Sequence, residues 1–127
     1  MKEIIQFNKK LNNLHYFEPV FGQNFVFLVA PFTDSDYENV CGWIGCDAKP
    51  QGERRGTTLF SQCSKKIGVV IWDPTQSVVF HELIHAAMST FRKIGDKVIH
   101  FDNEEAFAYY CGRLAEVLYS FHPAFEK

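Results

Sequence analysis

The chain has 127 residues, room for one domain with a packed core and no more. With 46% hydrophobic and 16% aromatic residues it is too apolar to be a disordered polymer, and a net charge of −2 gives no general electrostatic reason to bind nucleic acid or anionic lipid. The opening Met1-Lys2-Glu3-Ile4-Ile5-Gln6-Phe7 lacks the apolar centre of a signal peptide and no apolar run approaches a membrane span, so a cytoplasmic protein without a membrane partner is expected.

Residues 2–14 are polar and weakly patterned, and a short helix is the expectation there. Residues 24–30, Asn-Phe-Val-Phe-Leu-Val-Ala, form an apolar stretch ended by Pro31 and predict a strand. Asp34-Ser35-Asp36 invites calcium, but no oxygen-rich loop of the usual length follows, and a solvated turn is expected. Residues 40–46 are a second candidate strand, broken by Gly42 and Gly45. Residues 57–60 and 67–72 complete four. The segment 47–56 between them, with Pro50, Gly52, Arg54, Arg55 and Gly56, reads as an exposed turn-rich loop; no basic stripe surrounds Arg54-Arg55, which is read as a solvated tip.

The second half is helical. Asp73-Pro74 is a start signal, with Asp73 as N-cap, and Gly95-Asp96 a stop. Between them no Gly or Pro intervenes, and Val78, Val79, Leu83, Ile84, Ala87, Met88 and Phe91 recur at helical spacings. A last helix is expected from Asp102 or Asn103 to about Phe121, before Pro123. Its apolar stripe is Phe107, Tyr110, Cys111, Leu114, Leu118 and Phe121. The fold class is therefore α+β, β-rich first and helical second. Cys41, Cys46, Cys63 and Cys111 have no Cys-x-x-Cys spacing and are read as thiols, mostly buried.

Mid-helix stands His81-Glu82-Leu83-Ile84-His85. Residues four apart share a helix face, so His81 and His85 can offer ring nitrogens to one tetrahedral cation while Glu82, one step round, reaches a water on it. Shuffling this composition would produce such a pattern only roughly once in a hundred sequences, which weighs against accident. A third ligand is needed. Glu105 shares a line with Ala108, Gly112 and Ala115, small residues that would let the last helix come close, whereas Glu104 sits beside Phe107, Ala108 and Cys111; both remain open on the residues alone.

With the second motif, Asn103-Glu104-Glu105-Ala106-Phe107-Ala108-Tyr109, the chain resembles the zincin metallopeptidases of the glutamate-ligand type, the gluzincins, and the Glu-Ala-Phe-Ala-Tyr string resembles that of small uncharacterised zincin-like proteins of bacteriophages. The resemblance covers residues 67–118. It implies a minimal zincin-like single domain over residues 1–127, in which a small, mostly antiparallel sheet from the first half packs on the HExxH helix and a C-terminal helix. It also implies one Zn2+ per chain on His81, His85 and Glu105, with Glu82 as general base in hydrolysis of a peptide or protein substrate. Glu105 is preferred because it directly precedes Ala-Phe-Ala; Glu104 matches the Asn-Glu order. Location in the host cytoplasm or the virion would follow for a phage-encoded protein.

The continuation Ala86-Ala87-Met88 excludes the metzincin subclass, which adds a Gly and a third His. Candidate transition-state donors are Tyr109, Tyr110, His100 and His122, and residues 57–72 are where a substrate strand would add to a sheet edge. The alternatives are an inactive zinc-binding structural, virion or partner-binding protein, in which a glutamate or Cys111 supplies a fourth ligand, and a zinc hydrolase of some other amide.

Overall fold

The computed structural model describes residues 2–47, 54–61, 64–94 and 104–126. Five strands form one mixed sheet in the order β1-β2-β3-β5-β4, where β1 is Ile4–Asn8, β2 Asn13–Glu18, β3 Gln23–Val29, β4 Gly56–Phe60 and β5 Lys66–Ile71. The β1–β2, β2–β3 and β4–β5 pairings are antiparallel, while β3 and β5 run parallel at the centre, Phe27 opposite Val69. The helices are α1 (Asp34–Ile44), α2 (Gln76–Lys93) and α3 (Glu104–Phe121), and a short 3-10 turn, Pro123–Phe125, follows.

Three layers result. The central strands are buried on both faces and read as nearly continuous apolar runs. Phe25, Phe27, Val29, Ile67, Val69 and Ile71 point to one side, where they meet Val79, Leu83, Ala86 and Phe91 of α2 and Leu114, Val117 and Leu118 of α3. Val26, Leu28 and Val70 point to the other and are covered by Tyr37, Val40, Cys41 and Ile44 of α1. The site described below lies where α2 passes the outer strand β4.

Two expectations are corrected. Residues 40–46 are not a strand but the end of α1, and Gly45, at φ 92, is its C-cap in the left-handed region that glycine adopts at least cost. The helix is set by its start: Thr33 accepts from the Asp36 amide, the Asp36 carboxylate accepts from the Thr33 amide, and this capping box absorbs the Asp34-Ser35-Asp36 cluster into a first turn. Residues 2–14 are not helical but the hairpin β1–β2. Burial there alternates with period two, Ile5 and Phe7 inward on β1, Leu14 and Tyr16 on β2, and Asn12 at φ 53 makes the turn.

The helical half follows the sequence more closely. α2 starts at Gln76, with Thr75 as N-cap, two residues later than expected; Asp73 instead accepts from the Thr75 amide and pairs with Arg55 at 2.6 Å. On α3 the core face is Tyr110, Leu114, Val117 and Leu118, with Phe107 and Cys111 at its margin, while Phe121 is half exposed. Gly95-Asp96, Asp102, Asn103, His100, Cys63, Pro50 and Gly52 lie outside the described residues. Cys41, Cys46 and Cys111 are free thiols, of which Cys41 is buried. No helix among the described residues is long and apolar enough to cross a membrane.

Beyond α3, His122 is 3% exposed and edge-on to Phe7. Its Nδ1 accepts from the Ala124 amide, its Nε2 has no partner among the described residues, and burial pushes the imidazole down to about 4. Because the folded value lies below the usual value near 6.5, the unfolded chain binds the extra proton between the two, and stability falls as pH drops through that window. The loss should approach about 2–3 kcal/mol by pH 4. His122→Phe should show a smaller difference between urea midpoints at pH 7.5 and 4.5 than the wild-type chain.

Candidate active site

The histidines stand on the face of α2 turned away from the core. The three polar groups of the motif differ sharply in burial: His81 and His85 are exposed, whereas Glu82 is 5% exposed and wedged between α2 and β4. Helical geometry produces this division, since a step of one residue turns the side chain by about 100°. The two Nε2 atoms converge to 3.2 Å, with the rings edge to face at 75°. One zinc holding two imidazoles at about 2.0–2.1 Å in tetrahedral geometry would place those nitrogens about 3.3 Å apart, close to the separation seen here, which is also that of a hydrogen bond between the two rings.

Glu82 is fixed from the sheet. Thr58 on β4 sets its hydroxyl 2.9 Å from Glu82 Oε1 and 3.1 Å from the Glu82 carbonyl oxygen, so one donor serves both acceptors. The second carboxylate oxygen, Oε2, lies 4.0 Å from His81 Nε2. Gly56 makes the arrangement possible, because a Cβ there would come within 2.8 Å of Glu82 Cγ and 3.1 Å of Val78 Cγ1. Side chains alternate along β4, and it is Thr58, not Thr57 or Leu59, that meets Glu82.

These side chains line an open cleft of 370 Å³ between β4 and α2, with Phe60, Met88, Ser89 and Arg92 at the end beyond His85. Ser89 donates to the His85 carbonyl at 2.9 Å. A second hollow of 530 Å³ shares Gly56, His81 and Glu82 with the first and continues past Ser77 to Arg54 and Arg55. The two hollows adjoin at Gly56, His81 and Glu82, which wall both.

The structure does not bring Glu105 to the histidines. α2 and α3 run antiparallel, with Phe80 against Tyr119 and Phe91 against Phe107. From His85 to Phe91 is six helical steps and from Phe107 back to Glu105 two more, about 12 Å along the shared direction, more than a glutamate side chain spans. Glu105 lines a separate groove on the outer side of α3 with Ala108, Tyr109, Gly112, Arg113 and Glu116. The small-residue line does not contact α2: a Cβ on Gly112 would meet nothing within 4 Å, and large aromatic rings fill the space between the helices. Glu104 is exposed in the same first turn and does not line the cleft. Among the described residues no group of three His, Cys, Asp or Glu is placed to hold a metal ion.

The donor candidates go elsewhere too. Tyr110 donates to buried Glu18 at 2.6 Å, and that burial together with the carboxylate pushes its phenol well above the ordinary value. Tyr109 is exposed on α3, and His122 caps the final turn. The residues the sequence did not single out are Thr58, Gly56 and Arg92. Only the tertiary placement of β4 against α2 reveals Thr58, since nothing in the string Thr57-Thr58 links it to a glutamate 24 positions on. No protein-family model, curated protein or solved structure matches the chain.

Proposed function

We propose that the chain is a zinc-dependent metallopeptidase of the zincin type, with His81 and His85 as metal ligands and Glu82 as general base. The observation that carries this is the convergence of the two imidazole nitrogens to 3.2 Å beside a carboxylate that the sheet holds in place. Zinc, when bound, supplies Lewis acidity that polarises a substrate carbonyl and acidifies water. The rest falls to the protein. Glu82 Oε1 is engaged by Thr58, which leaves Oε2 on the histidine side to take the proton of the attacking water and return it to the leaving amine. β4 is the outer strand of the sheet and borders the cleft, so an extended substrate segment can pair with its free edge while its reacting bond lies over the histidines.

A second reading, an inactive zinc-binding protein, is favoured by one observation: no third protein ligand joins the histidine pair among the described residues. Two measurements separate the readings. Elemental analysis of zinc-loaded protein should give one zinc per chain, lost in His81→Ala and retained in Glu105→Ala; an unloadable wild-type chain would sink both. Zinc-dependent cleavage of a casein or peptide-library substrate supports the hydrolase, and stoichiometric zinc with no cleavage of any substrate supports the inactive form.

Thr58→Val tests the support of the base. It removes the hydroxyl that donates to Glu82 Oε1 and should cost about 1–3 kcal/mol of stability, read as a lowered urea midpoint. Turnover should fall by roughly tenfold, since Oε2 is no longer held in one orientation.

A further inference from the structure

The groove between β4 and α2 has an unusual charge pattern for a chain of net charge −2. Three arginines line it, Arg54 and Arg55 at one end and Arg92 at the other, and among the described residues the one acid on its walls is Glu82, which is buried and tied to Thr58. Arg55 pairs with Asp73, which lies off the groove, but Arg54 and Arg92 have no carboxylate partner among the described residues, and Arg54 is anchored by donating to Thr57 Oγ1 at 3.3 Å. A guanidinium therefore lines each end, Arg54 tied to Thr57 and Arg92 exposed, with the histidine pair and Glu82 between.

From Ser77 to Arg92 is fifteen helical steps, about 22 Å, which matches six or seven residues of extended chain. The ends also differ in character. Beside Arg92 stand Phe60 and Met88, an apolar surface, whereas beside Arg54 and Arg55 the wall is Gly56 and Ser77.

We propose that the ligand of this groove is an acidic peptide segment, extended along β4, with carboxylate side chains on both sides of the residues that lie over His81 and His85. The hydrolase reading above locates the reacting bond; the charge preference itself is a binding property and does not depend on turnover. Arg92 receives a carboxylate beyond the apolar surface of Phe60 and Met88, and Arg54 receives one at the opposite end. A guanidinium suits this role because its planar donors grip a carboxylate in two places and it stays charged at every working pH. Basic segments are repelled from both ends, so the groove selects by exclusion as well as by attraction.

Three N-acetylated octapeptides, alike except for Glu, Gln or Lys at the flanking positions, test this in two assays. Anisotropy titration of fluorophore-labelled peptides with zinc-loaded Glu82→Gln protein reads binding, and initial cleavage rates with the wild-type enzyme read turnover. The Glu peptide should bind at least tenfold more tightly than the Gln peptide and the Lys peptide most weakly. Arg54→Gln and Arg92→Gln should each reduce the preference several-fold, and 0.5 M NaCl, with a Debye length of about 4 Å, should shrink it. Equal binding of the three peptides, preference for Lys, or no binding at all overturns the inference. Equal binding of the Gln and Glu peptides with cleavage of both overturns it while leaving the hydrolase in place. Selective binding of the Glu peptide without cleavage of any peptide leaves the groove's preference standing and removes the hydrolase reading.

Discussion

Glu82→Gln should lower peptide hydrolysis by about a hundred- to ten-thousandfold, the range a general base contributes, while the zinc content stays at that of the wild-type chain. The amide keeps the size of the carboxylate and still offers Oε1 to the Thr58 hydroxyl, so the contact at 2.9 Å and the packing against Gly56 survive. What it loses is the ability to accept a proton at the position of Oε2. The check is kcat against a fluorogenic peptide together with metal analysis and a melting curve on the same preparation. A variant that retains zinc, melts normally and cleaves at the wild-type rate would remove Glu82 from the mechanism.

Phe91→Ala should be the most damaging substitution away from the site, costing about 3–5 kcal/mol, as loss of a buried phenyl ring does. Phe91 is 2% exposed, and its ring meets Phe21 at 5.6 Å, Phe107 at 5.6 Å and Tyr110 at 5.8 Å between centroids. One side chain therefore ties α2 to α3 and to the turn after β2. Its removal leaves a cavity among aromatic neighbours that are themselves braced, Tyr110 by its bond to Glu18, so the walls cannot collapse into it. For a domain of this size a fall in Tm of roughly 10–20 °C is expected by calorimetry. A shift of only one or two degrees would show that the α2–α3 contact is not what holds the helical layer on the sheet.

The parts of this fold that are legible in the sequence are those where one periodicity runs unopposed. α2 and α3 carry three-four spacing over eighteen residues each, and β3 and β5 are apolar on both faces, so each announces itself. α1 is hard to see because its buried side, Val40, Cys41 and Ile44, is interrupted by Gly42 and closed by Gly45 and resembles a broken strand; the Thr33 and Asp36 pair three apart is the signal that decides for a helix. The hairpin β1–β2 hides behind polar outward residues, Gln6, Asn8 and His15, that dilute its alternation. Phe121 continues the stripe of α3 arithmetically but is half exposed.

The site divides in the same way. His81, Glu82 and His85 are local, and a helix alone puts the imidazoles together. Thr58 and Gly56 are not, because the distance between β4 and α2 is a property of the folded chain. Glu105 shows the opposite failure: a spacing that suits a ligand does not fix how far along α2 the next helix docks, and the aromatic pairs Phe80–Tyr119 and Phe91–Phe107 set that offset.

The Thr58 hydroxyl has a thermal consequence. It links the outermost strand of the sheet to the side chain and the main chain of one residue in α2, and outer strands are the first to breathe on heating. Local detachment of β4 would release the Glu82 carboxylate from Thr58 with α2, α3 and the central strands still in place. On the proposed hydrolase reading, peptide cleavage should then fail at the temperature where these five residues open, below the one at which the chain melts.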